Sequence, residues 1–225
     1  MRRFVTAAVT APLAGFLLIS TGCGFASLAL KHVSGSGKVV EETRTVSSFS
    51  KIESAGSTDV VVTIGSPQRV VIKADDNILP LITTTVSDNA LSIGSRGNYS
   101  TRNAVQVLVT MPSLTSLELA GSGAANINGL QEQGFEASLS GSGDITATGT
   151  TTSLKVSIAG SGDVHLFGLI AQHGEVSVTG SGNVEVHVSE SLQASVMGSG
   201  DIVYDGAPEK LERRVIGSGE ITARK

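Results

Sequence analysis

The sequence predicts an all-β fold, a β-solenoid made by stacking strand-turn-strand repeats of about 19 residues. Three observations carry that expectation. Gly-Ser-Gly begins at Gly121, Gly141, Gly160, Gly180, Gly198 and Gly217, in steps of 20, 19, 20, 18 and 19 residues, and a fixed period in this range marks a coiled array. Apolar residues flank each copy at alternate positions, the period of a strand with one buried face. The 225 residues include 27 glycines and no tryptophan, and only 4 % are aromatic, so core volume has to come from Val, Ile, Leu and Ala, of which the β-branched members favour strands.

Taken in order, residues 1–22 have the layout of a signal peptide: the charged Met1-Arg2-Arg3, an apolar run from Phe4 to Ile19, and small residues up to Gly22. That run is too short and too weakly apolar for a membrane span of about 20 residues. Cys23 is the only cysteine, which excludes a disulfide within one chain. The stretch Ser20-Thr21-Gly22-Cys23 resembles a bacterial lipobox, although Ser20 stands where that motif carries an aliphatic residue and Ile19 lies one step early. The resemblance implies cleavage before Cys23 and acylation of its thiol and amine, with the membrane as partner. Several acyl chains make such an anchor stable, each buried methylene contributing about 0.8 kcal/mol. Gly24, where inner-membrane retention uses Asp, then implies the outer membrane or cell surface. A cleaved soluble protein and an uncleaved anchor are the competing readings.

Residues 23–47 contain Gly35-Ser36-Gly37 and a charged stretch from Lys38 to Arg44 without sustained apolar alternation. They read as a tether with room for one short strand. From residue 48 a single domain runs to 225, irregular over 48–113 and regular over 114–225. In the irregular part Ile52, Val60-Val62-Ile64, Val70-Ile72-Ala74, Leu91-Ile93 and Val105-Val107-Val109 recur at period two. Turn residues at Gly65-Ser66-Pro67, Asp88-Asn89 and Gly94 to Asn98 separate them. Asp76 to Ile82 suits one helical turn with Asp75 or Asp76 as its cap, and Gly56-Ser57-Thr58-Asp59-Val60 reads as a degenerate copy of the later repeat.

In the regular part the inward positions before each corner are Leu117 and Leu119, Ala137 and Leu139, Val156 and Ile158, Val176 and Val178, Ala194 and Val196, Arg213 and Val215. After the corners they are Ala125 and Ile127, Ile145 and Ala147, Val164 and Leu166, Val184 and Val186, Ile202 and Tyr204, Ile221 and Ala223. Four aliphatic side chains per unit fall well short of the cost of ordering its backbone. The units must therefore stack. Arg213, in place of an apolar residue in the last unit, suits a cap on an open end.

Gly-Ser-Gly-Asp at Gly141, Gly160 and Gly198, its variants at Gly121, Gly180 and Gly217, the segment Asp201 to Pro208, and Phe49 to Ile93 with its Asp-Asn-Ile-Leu-Pro-Leu-Ile centre resemble the head-GIN domain of putative auto-transporter adhesins. The resemblance spans roughly residues 45–225. It implies a right-handed β-helix-like fold outside the cytoplasm, often behind a lipoprotein or secretory leader.

Candidate chemistry sits on the corners and outer faces. Ala124, Asp144, Asp163, Asn183, Asp201 and Glu220 follow the corners and form a column if the units stack in register. Their oxygens suit either a hard cation or hydrogen bonds to turn backbone, and the second is the favoured expectation. A phosphate loop needs a helix after its glycines, and here strands lie on both sides. His165, His173 and His187 lack metal-ligand spacing and read as surface residues. No catalytic, cofactor or metal residue is assigned. A net charge of −4 without a basic stripe argues against nucleic acid. The expectation is a secreted, lipid-anchored, non-catalytic envelope module that binds an envelope or host protein or a glycan. The rival is a polysaccharide-active β-helix enzyme.

Overall fold

In the computed structural model, which describes residues 32–225, strands take up 70 % of the described residues and helix 2 %. The strands are β1 (Val33–Ser34), β2 (Val39–Arg44), β3 (Lys51–Gly56), β4 (Asp59–Ile64) and β5 (Arg69–Asp75), then β6 (Ile82–Ser87), β7 (Ala90–Ser95), β8 (Tyr99–Ser100) and β9 (Gln106–Met111). The repeats supply β10 (Ser116–Gly121), β11 (Ala124–Gly141), β12 (Asp144–Gly160), β13 (Asp163–Gly180), β14 (Val184–Gly198), β15 (Ile202–Asp205), β16 (Lys210–Gly217) and β17 (Ile221–Ala223). They stack in parallel as a β-solenoid of about 5 turns.

Register follows the repeat. Gly121 pairs with Gly141, Gly141 with Gly160, Gly160 with Gly180, and Gly180 with Gly198. Every inward position named from Leu117 to Ile202 is buried. Each coil has three walls where the strand-turn-strand repeat predicts two. In β11 the buried residues run Ala125, Ile127, Leu130, Phe135, Ala137, Leu139. The period of two breaks twice, and each break is a bend, the first coinciding with a shift of register between Ile127 and Leu130. The first wall thus follows the Gly-Ser-Gly corner, a short second wall crosses over, and the third wall leads to the next corner.

The irregular half repeats this plan once and then ends it. β3 and β4 flank Gly56-Ser57-Thr58-Asp59, and Gly56 stands in register with Gly121 and Val60 with Ala125, so the degenerate copy is a true corner. β7 and β9 add parallel strands outside β3 and β4, after which β6, β5 and β2 run antiparallel. The reversal into β7 is a two-residue turn at Asp88 and Asn89, both at positive φ (50° and 65°), the geometry that matches strand twist in a hairpin. Ile78 and Leu79 are buried at this end of the core.

Two expectations change. The helical turn is a short 3-10 turn over Leu79–Leu81 entered from Ile78 with no side-chain cap. Asp75 is not its cap because its carboxylate is bound to Thr101 and Asn103. The ordered fold also reaches upstream of residue 48: β1 pairs with β8, and β2 joins the main sheet along β5. β2 leaves Glu41 and Glu42 exposed and tucks in only Val40 and Arg44, which is why its sequence shows no clean alternation. The leader and Cys23 lie outside the described residues.

Candidate functional site

The Gly-Ser-Gly corner is built by close backbone approach. In one corner after another the Ser N–H and the second glycine N–H both donate to the first glycine carbonyl of the preceding coil: Ser161 and Gly162 to Gly141 at 2.8 and 3.2 Å, Ser181 and Gly182 to Gly160 at 2.9 and 3.2 Å, Ser199 and Gly200 to Gly180 at 2.9 and 3.2 Å. A Cβ on Gly141 would strike the Gly121 carbonyl oxygen, and a Cβ on Gly143 that of Gly123. Gly141 also has a φ of +127°, where only glycine is at ease. With these N–H groups spent on stacking, the corner does not form an anion nest.

The residue after each corner forms the expected column, and its side chains bond to backbone. The partner is not their own turn but the next coil. Asp163 Oδ1 accepts from the N–H and the amide of Asn183, both at 2.9 Å. Asn183 Oδ1 accepts from Asp201 N–H at 3.1 Å, and Asp201 Oδ1 from Glu220 N–H at 2.8 Å. Asp59 starts the column by accepting from Ala124 N–H at 3.0 Å. Ala124 has no oxygen to offer, and there the Asp144 N–H turns to the Gly123 carbonyl at 3.3 Å instead. Among the described residues no group of three or more His, Cys, Asp or Glu is placed to hold a metal ion.

The histidines lie on the outer surface, each facing the neighbouring coil. His165 Nδ1 is 2.8 Å from Glu185 Oε2, His187 Nδ1 is 3.8 Å from Asp205 Oδ2, and His173 Nδ1 is 2.9 Å from Ser191 Oγ. Asp205 is held below the usual carboxylate range, first by the Gly206 N–H at 2.7 Å and then by Arg224 at 3.1 Å and His187. Arg213 turns inward and donates to the Ile221 carbonyl at 3.3 Å, bridging the third and first walls of the last coil.

Asp75, which the sequence offered only as a cap, is a buried carboxylate at the opposite end. It accepts from Asn103 Nδ2 at 2.7 Å, Thr101 Oγ1 at 2.8 Å and Gly37 N–H at 3.3 Å. Led by the Asn103 bond, these hold it below the usual range against the opposing effect of burial. Asn77 secures the same loop, accepting from Ser36 N–H and donating to the Ser34 carbonyl. This clasp fixes Gly35-Ser36-Gly37 to the domain, where linker behaviour was expected.

Among the described residues the outer faces of the repeats carry open grooves, two of which bear on function. One, of about 370 Å³ on the third wall, carries Glu175, Gln193, Glu212 and Arg214 over a floor that includes Ser177 and Ser195. Gln193 is in register with both glutamates, so the two carboxylates stand two rungs apart, about 10 Å. The other, of about 590 Å³ on the second wall, includes Gln131, Thr150, Ile170 and Gln172. The second wall escaped the sequence reading because it buries few apolar residues.

The model of the family described as putative auto-transporter adhesin, head GIN domain, matches residues 48–208. Among solved structures the chain is similar to a putative adhesin from Bacteroides fragilis, with 23 % identity over 85 % of this chain and 100 % of that one and a TM-score of 0.66. It is also similar to a putative adhesin from Parabacteroides distasonis (26 % identity, 86 % and 100 % covered, TM-score 0.56). A putative lipid binding protein from the same species shares the fold at 22 % identity (87 % and 100 % covered, TM-score 0.54). No curated protein matches the chain.

Proposed function

We propose, because the chain belongs to the head GIN family of putative auto-transporter adhesins, that it is a non-catalytic binding module displayed outside the cytoplasm and held at the bacterial envelope by lipid on Cys23. The observation that carries the binding reading is how the polar groups are spent. Inward side chains fill the core, and corner N–H groups and the column after them bond coil to coil. The chemically free surface is that of the outward side chains on three walls, presented in rungs about 4.8 Å apart. Extended surfaces of this kind suit contact with a large partner.

The location rests on the leader. Residues 1–22 are removed, Cys23 is acylated, and the residues between it and β1 form the tether; Gly24 favours the outer membrane. In cells expressing the full chain, the protein is expected in the membrane fraction, and Cys23→Ala is expected to move it to the soluble fraction. Retention of that variant in the membrane would overturn the anchor.

A second reading is favoured by one observation, the shared groove of Glu175 and Glu212, since paired carboxylates at roughly this separation serve inverting glycosidases. Both side chains are exposed on an open sheet face. The binding reading expects no release of reducing sugar from a polysaccharide panel. Release abolished by Glu175→Gln or Glu212→Gln would establish the enzyme instead.

A further inference from the structure

We infer that the second wall of the solenoid is a binding groove for a neutral glycan, a step that rests on the reading of the chain as a binding module and names its ligand class. The groove of about 590 Å³ is bordered by two outward columns from successive coils, Gln131-Thr150-Ile170 and Gln133-Thr152-Gln172. Five of these six side chains are uncharged amides and hydroxyls. Among the described residues none of the five bonds to another protein group, in contrast to the satisfied corner column and the Asp75 clasp.

The chemistry of this set selects the ligand. Amides offer donors and acceptors side by side and hydroxyls offer both on one atom, the complement of a chain of sugar hydroxyls. No Lys or Arg lines the groove to meet an anion. The one carboxylate, Glu132, is engaged by the Leu114 N–H at 3.0 Å and is a poor cation partner. A protein partner would seek a buried aromatic or Arg anchor, and the groove has neither. Ile170, 49 % exposed between polar neighbours, supplies a small apolar platform for the C–H face of a sugar ring. The third-wall groove, with Glu175, Glu212 and Arg214, lacks this neutrality.

The test uses the full chain with Cys23→Ala, immobilised and titrated with neutral glycans (unbranched β-1,3-, β-1,4- and α-1,4-glucans and an α-mannan) and with acidic ones (polygalacturonate and heparin). Binding of at least one neutral glycan is expected, with weakening of about tenfold or more in Ile170→Asp and in the Thr150→Ala/Gln172→Ala double variant as rung contacts are lost. All three substituted positions are exposed, and unchanged circular dichroism and melting temperature confirm folding. Asn126→Ala, at an exposed position on the first wall, should bind as the parent does. Neutral-glycan binding that survives both second-wall variants, or binding of acidic glycans alone, overturns the groove while leaving the module reading intact. Binding to none of the six overturns the ligand class and leaves the module reading to the reducing-sugar and membrane-fraction experiments above.

Discussion

Asp75 shows how one buried carboxylate can hold an edge of the fold. Its partners come from two separate loops, Thr101 and Asn103 on one side and Gly37 on the other. A Cβ on Gly35 would collide with its Oδ2, so the loop rests directly on the acid. Because the folded-state pKa lies below the unfolded value of about 3.9, the stabilisation is present above that value and is lost as pH falls through the lowered folded one. Asp75→Asn keeps the shape but replaces one acceptor oxygen with a donor facing Thr101 or Asn103. It is expected to lower the melting temperature at pH 7 and to flatten the loss of stability below about pH 4. Parallel acid limbs in the variant and the parent would show that Asp75 is not what titrates.

At the scale of the element, the Gly-Ser-Gly corner sets the spacing of the walls, and glycine is required there for contact as much as for torsion. Gly141→Ala places a methyl against the Gly121 carbonyl at a φ of +127° and is expected to cost about 2–4 kcal/mol in urea unfolding. Gly134 has open space around its missing Cβ, so Gly134→Ala should be neutral or stabilise by up to about 1 kcal/mol. Equal losses at the two sites would mean that chain entropy, not corner contact, sets the requirement. These corners were legible in the sequence because their contacts are made between like residues at a fixed period. β2 was not, since its partner β5 lies far along the chain and its outer face is charged. The second wall was missed for a related reason: Leu130, Gly149 and Leu169 share one register position, and a glycine in that column hides the apolar period. The Asp/Asn column could be placed from sequence, but its bonds run between coils, and only the stack shows which N–H each oxygen meets.

For the whole molecule, the two ends of the stack are finished differently, and this sets where unfolding begins. The N-terminal end closes with antiparallel β2, β5 and β6, buried Ile78 and Leu79, and the Asp75 clasp. The other end is a last coil of β16 and β17, in which Val215 and Ile216 are 42 % and 50 % exposed and Met197 beside Ile216 is 52 % exposed. Arg213 spans that coil through one bond to Ile221, and Arg224 folds back to Asp205 at 3.1 Å and over the Phe167 ring at 4.4 Å. In a stack of nearest-neighbour contacts, stability falls toward an end that has a partner on only one side. Native-state hydrogen exchange is therefore expected to show the amides of β16 and β17 opening before those of β11 to β13, with β3 and β4 protected nearly as well as the central coils. Arg224→Ala removes both the ion pair and the ring contact, which are solvent-screened and individually weak. It should speed exchange in β17 by several-fold while leaving β11 to β13 unchanged. Uniform acceleration along the chain would mean that the solenoid opens as a single cooperative unit, with the last coil no weaker than the rest.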